Sequence, residues 1–257
     1  MEKLKVLTMK MLRKSLGLLL TPILLIASAW GQTTPAPAQN NAAAPSTPLN
    51  VHTADDPGIL HETQITVDVN GRTGLVWWIP FEFWVNAAEK NGTPADKARQ
   101  SFSALQDYIV VGVLLAKVSD LGTFDYVSPA DLQKKTFVRD AGGQEYATVG
   151  EVGGDAKNLA DIMKPMLANA MGRAGENFAM IFFPAKSKSG KRIADATSKG
   201  QFSIVLKDIA GEPETIYHWR TPLSSLSAPR YCPVGKERVH ADWDYCPWHG
   251  VKLEDKQ

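Results

Sequence analysis

Ile65, Val67 and Val69 alternate with Thr66, Asp68 and Asn70, the period-two pattern of a strand with one buried face. Asn70-Gly71 follows, the dipeptide best suited to a two-residue type I′ turn, so a second strand is expected beyond it. That run, Leu75 to Trp84, is apolar on both faces, unlike a half-solvated strand. Pro80 lies inside it and has no N–H for a ladder, so the run is an edge strand or is split in two. Thr93 and Pro94 suit a helix start, and Ala95 to Asp107 is rich in helix formers. Tyr108 to Val118 is β-branched and apolar and reads as a buried strand.

Further on, Ser128-Pro129 opens a short helical turn, and Thr136-Phe137-Val138 is a brief strand before the Asp140–Gly143 turn. Asp155 to Met171 carries Leu159, Ile162, Met163, Met166 and Leu167 at helical spacing, with Pro165 inside it. Phe178–Phe183, Phe202–Leu206 and Glu214–Trp219 read as closing strands, and Lys186–Lys199 as a polar loop. No internal repeat is present. Seven or so short strands with two helices in long connections predict a β-rich α+β fold, an antiparallel sandwich. The order of Thr136–Tyr146, Phe178–Phe183 and Phe202–Leu206 resembles secreted bacterial immunoglobulin-like domains. The resemblance implies an immunoglobulin-like architecture and, by itself, no function.

Ahead of this lies an export pattern. Lys3, Lys5, Lys10, Arg13 and Lys14 precede an apolar stretch, Leu18 to Ile26, and Ala27-Ser28-Ala29 and Ala29-Trp30-Gly31 are small-residue cleavage sites. The stretch is short for a span, which takes about 20 residues. A signal peptide is therefore expected at 1–31, with no membrane segment after its removal. Residues 32–50 are Pro/Ala-rich and uncharged, the composition of a disordered linker. The sandwich domain is expected at 51–221, and a linker with a small tail at 222–257. Loss of the leader takes the formal charge from +1 to −3. That argues against a nucleic-acid partner, which calls for clustered Lys and Arg. A periplasmic or secreted location is expected, where paired cysteines tend to oxidise.

Both cysteines fall in the tail, in Tyr231-Cys232-Pro233-Val234-Gly235 and Tyr245-Cys246-Pro247-Trp248-His249-Gly250. The tail is similar to bacterial zinc ribbons, whose knuckles read Cys-Pro-x-Cys-Gly or Cys-Pro-x-His-Gly. Cys246 to Gly250 fits the second knuckle, and the first lacks its second cysteine. The resemblance implies that Cys232 and Cys246 are near neighbours, which leaves three outcomes open. One is a disulfide with no cofactor. The second is a zinc site of Cys232, Cys246 and His249 completed by His240, by Asp242 or by water. The third is a pair of free thiols.

Other candidates are thinner. Trp77, Trp78 and Trp84 form an aromatic run that would serve as a sugar-stacking platform if exposed and as core if buried. Lys186 to Arg192 has the look of a phosphate loop without its first glycine, since Ala185 stands there, and reads as a solvated hairpin. His218 at a strand end reads as structural, and His61-Glu62 lacks the second histidine of a metalloprotease helix. No Gly-x-Ser-x-Gly elbow occurs. The expected function is a non-catalytic binding or assembly domain of the bacterial envelope, with a protein or envelope component as partner. A metal-dependent enzyme using the tail and a carbohydrate-binding module are the alternatives.

Overall fold

Residues 58–253 are described by a computed structural model; the expected leader and the linker at 32–50 lie outside the described residues. A short helix, α1 (Gly58–Thr63), leads into strand β1 (Gln64–Val69). The chain turns at Asn70 and Gly71, with φ of 54° and 68°, and returns as β2 (Arg72–Ile79). Positive φ at both central residues is what a type I′ hairpin requires.

Pro80 splits the apolar run. Strand β2 stops at Ile79, Pro80 takes the position before the first helical residue, and the rest of the run is helix α2 (Phe81–Lys90). The two faces of β2 show why the run is apolar throughout. Trp77 meets Phe83 of α2 edge-on, with centroids 5.0 Å apart, while its neighbour Trp78 meets Phe202 at 4.8 Å. Adjacent strand residues point to opposite faces, so one face of the sheet packs on helix and the other on a second sheet.

After α3 (Ala95–Phe102) and a 3₁₀ turn at Ser103–Asp107, β3 (Tyr108–Val118) forms the centre of the first sheet. It pairs with β2 on one side. Its other edge is shared, Ala116–Val118 with β4 (Phe124–Tyr126) and Tyr108–Val113 with a strand from later in the chain. Gly112 lies under Phe178, whose ring atoms would stand 2.6 Å from any Cβ there, so only glycine lets the fully buried ring sit on the strand.

Helix α4 (Pro129–Lys135) is capped by Ser128, whose Oγ accepts from the Asp131 N–H at 3.1 Å and donates to the Asp131 carboxylate at 2.7 Å. Ser128→Ala should destabilise the fold by about 1 kcal/mol, read as a Tm lower by roughly 2–4 °C in a calorimetric scan.

The chain then forms β5 (Thr136–Asp140), β6 (Glu145–Tyr146), helix α5 (Gly154–Ala170) with Pro165 inside it, and β7 (Ala179–Pro184), the strand that pairs with β3. Strands β8 (Gly200–Ile209) and β9 (Glu212–Thr221) complete a second antiparallel sheet in the order β6-β5-β8-β9. On this sheet Arg139 bonds Glu145 and Glu214, and Lys207 bonds Glu145. Lys207 first, then Arg139, holds the Glu145 carboxyl below its usual range. The fold is thus β-rich α+β with antiparallel sheets, carrying five α-helices among the described residues where two were expected. Four of the five are ten residues or fewer, too short for periodicity to show; α4 was expected only as a short helical turn, and α1 and α2 were not expected.

The segment after β9, expected as a linker, is packed. Leu223 is buried, Ser224–Leu226 forms a 3₁₀ turn, and the Glu62 carboxylate of α1 accepts from the Ser224 and Ser225 N–H groups at 2.7 and 2.8 Å. No described helix is long and apolar enough to cross a membrane.

Candidate metal centre

The tail is built from two turns of one design. A short hairpin, β10 (Arg230–Tyr231) with β11 (Arg238–Val239), presents Cys232 at the start of its loop. The Cys232 N–H donates to the Glu237 carbonyl at 2.9 Å, and the Lys236 N–H donates to the Cys232 carbonyl at 3.0 Å. The second turn repeats this: the Cys246 N–H donates to the Val251 carbonyl at 2.8 Å, and the Gly250 N–H to the Cys246 carbonyl at 2.8 Å. The fifth residue of each turn is left-handed, Lys236 at φ 63° and Gly250 at φ 64°. Glycine takes that conformation freely, whereas a lysine there carries a steric cost.

These turns bring four donors together. The ligand atoms of Cys232, Glu237, Cys246 and His249 all lie within 4.8 Å of one another. Nδ1 of His249 is 3.5 Å from each sulfur, Glu237 Oε1 is 3.3 Å from the Cys246 sulfur, and Nδ1 and Oε1 are 2.9 Å apart. Ligand atoms held tetrahedrally at zinc-like bond lengths stand roughly 3.3–3.8 Å from one another. Those three sulfur contacts fall in that range, and the nitrogen–oxygen one is slightly tighter. The donor set, two sulfurs, one imidazole and one carboxylate, is one that zinc accepts.

The surroundings suit this use. Both cysteines are fully buried, and burial pushes the Cys246 thiol up. The N–H groups of His249 and Trp248 point at its sulfur and oppose that rise, favouring the thiolate. The Glu237 carboxyl is held below its usual range, by its own N–H first and also by both thiols and His249. Gly235 stands where a ribbon has its second cysteine, and a Cβ there would come within 2.0 Å of the Glu237 carboxylate. The missing side chain is the opening through which Glu237 reaches the cluster.

Comparison with protein families, curated proteins and solved structures finds no match to this chain.

The structure revises several expected roles. Cys232 and Cys246 are not bonded to each other in this structure, and their sulfurs share two further donors. His240, expected as the fourth ligand, is outside the cluster: its ring packs on Trp243 at 4.8 Å and its Nδ1 is 3.5 Å from Ser224 Oγ. Asp242 is likewise engaged elsewhere, paired with Arg220 at 2.9 Å. Glu237 was missed because ribbon knuckles supply ligands from their first and fourth residues, and it is the sixth, two residues beyond Gly235. Trp77, Trp78 and Trp84 are 4%, 2% and 0% exposed, and rings packed against Phe83, Phe202 and Phe102 offer no platform to a sugar. His218 Nδ1 is 2.8 Å from Ser203 Oγ across the β8–β9 ladder, a structural contact.

Proposed function

We propose that the chain is a non-catalytic binding or assembly protein of the bacterial envelope whose tail is folded around one zinc ion held by Cys232, Glu237, Cys246 and His249. The observation that carries the metal reading is the convergence of four donor atoms from two matching turns. Four protein ligands close a tetrahedral shell, and a closed shell is the mark of structural zinc, whereas catalytic zinc keeps one position for water. This favours a structural role over the metal-dependent enzyme. The envelope location rests on the export pattern at the N-terminus. Two facing antiparallel sheets support an immunoglobulin-like sandwich as the scaffold, with the helical layer an addition to it.

Native mass spectrometry of the full-length chain purified with zinc tests the metal reading. The expected result is one zinc per chain, released by a chelator, with both thiols reactive after release. A metal-free protein two hydrogens lighter than the reduced chain would overturn it in favour of the disulfide.

A further inference from the structure

The loop from Lys186 to Lys199, read from sequence as a solvated hairpin, forms one wall of a cleft of about 610 Å³. Its shape is fixed from within. Lys186 bridges to Arg192, the Ser187 N–H donates to the Lys191 carbonyl at 2.8 Å, and the Ile193 N–H donates to the Ala185 carbonyl at 3.0 Å. Ile193, Ala194 and Ala196 are buried and root the loop in the core. The opposite walls are the Asp140–Gln144 turn between β5 and β6 and the start of β8.

Four cations line this cleft, Lys188, Lys191, Arg192 and Lys199, against two carboxylates, Asp140 and Asp195. Both carboxylates are occupied by the fold. Asp140 accepts from the N–H groups of Gly142 and Gln144 and from the Tyr146 hydroxyl. Asp195 accepts from the N–H and hydroxyl of Thr197 and from the Ser198 N–H. Lys199 is paired with Asp244 of the tail. Lys188 and Lys191 are exposed on the loop and, among the described residues, are in no ion pair. The local excess of positive charge contrasts with a formal −3 for the chain without residues 1–31. Between the cations stand hydroxyls and amides, Ser187, Ser189, Ser198, Gln144 and Gln201.

A second pocket of about 160 Å³ adjoins through Arg192 and Asp195, which line both. It adds the aromatic side chains of Phe81 and Tyr108 and the Glu82 carboxylate. The volume of the larger cleft is that of a small-molecule site. Its walls are made mostly of charged and polar residues, whose apolar stems supply the larger share of the lining surface. Cations select the charge of an occupant, and crowded hydroxyl and amide groups select one with many hydroxyls of its own.

We propose that this cleft binds a hydroxyl-rich anion, a sugar carrying a phosphate or carboxylate group. The proposal gives the binding reading above a ligand class and rests on that reading, but not on the metal.

The test is isothermal titration of the full-length, zinc-loaded chain with glucose 6-phosphate, trigalacturonate, glucose and inorganic phosphate. Binding of glucose 6-phosphate or trigalacturonate is expected, and whichever arm responds identifies phosphate or carboxylate as the charged group. The Lys188→Ala/Lys191→Ala double variant should weaken that binding at least about 10-fold, while Lys134→Ala, an exposed charge change on α4, should leave it within about 2-fold. Raising salt should weaken it further. Flat titrations with both charged sugars would overturn the proposal. So would glucose or inorganic phosphate binding as tightly as the charged sugar, or equal weakening by Lys134→Ala. Zinc stoichiometry measured on the same samples reads the metal proposal separately, so the two can fail independently.

Discussion

Cys246→Ser should strip the tail of its metal and unfold it while the two-sheet domain stays folded. The core of the tail consists of Cys232, Val239, Cys246 and Leu253. Burying side chains of this size contributes about 1.5–3 kcal/mol each, whereas ordering the backbone costs about 1–2 kcal/mol per residue over Arg230–Leu253. So small a core cannot hold the tail without help, and a structural zinc is among the largest single contributions open to a module of this size. The substitution should lower zinc affinity by more than the roughly 100-fold attached to losing a supporting residue. Hydrogen exchange should show lost protection confined to Arg230–Leu253. Glu237→Ala should weaken zinc binding in the same assay, and His240→Ala should not, which separates this donor set from the one expected from sequence. Equal metal retention in all three variants would refute the site.

Trp84→Ala should be the most damaging single change in the main domain, at about 3–5 kcal/mol, or a Tm lower by roughly 6–20 °C for a domain of this size. Trp84 is fully buried, edge-on to Phe83 at 5.1 Å and stacked near Phe102 at 6.2 Å, and so joins α2 to α3. Its Nε1 is buried and has no hydrogen-bond partner among the described residues. Trp84→Phe therefore keeps a ring in place and removes a donor whose burial is itself unfavourable by about 1–3 kcal/mol. It should cost well under half of what Trp84→Ala costs. Chemical denaturation with both variants checks the ratio; equal losses would show that neither the retained ring nor removal of the orphaned N–H relieves the site, and would refute this reading.

The strands were legible wherever one local rule governed them. Asn70-Gly71 specified its turn chemically, and the apolar run of Tyr108–Val118 became β3 residue for residue. The Leu75–Trp84 run was harder, because hydrophobicity does not say whether a chain buried on all sides is strand or helix. Pro80 marked the change, but only the packing of Trp77 and Trp78 on opposite layers explains it. In the tail, Cys232, Cys246 and His249 were readable because the knuckle pattern names them. Glu237 was not, since its role depends on the space left by Gly235, a fact of three dimensions rather than of spacing.

The clasp between Glu62 and the Ser224–Ser225 amides brings the beginning of the described domain beside the root of the tail. Chain entry and exit thus share one pole of the molecule. Tension applied through the chain at Gly58 would therefore load the domain beside the root of the cysteine turns, and the Glu62 clasp would bear it before the sheets do.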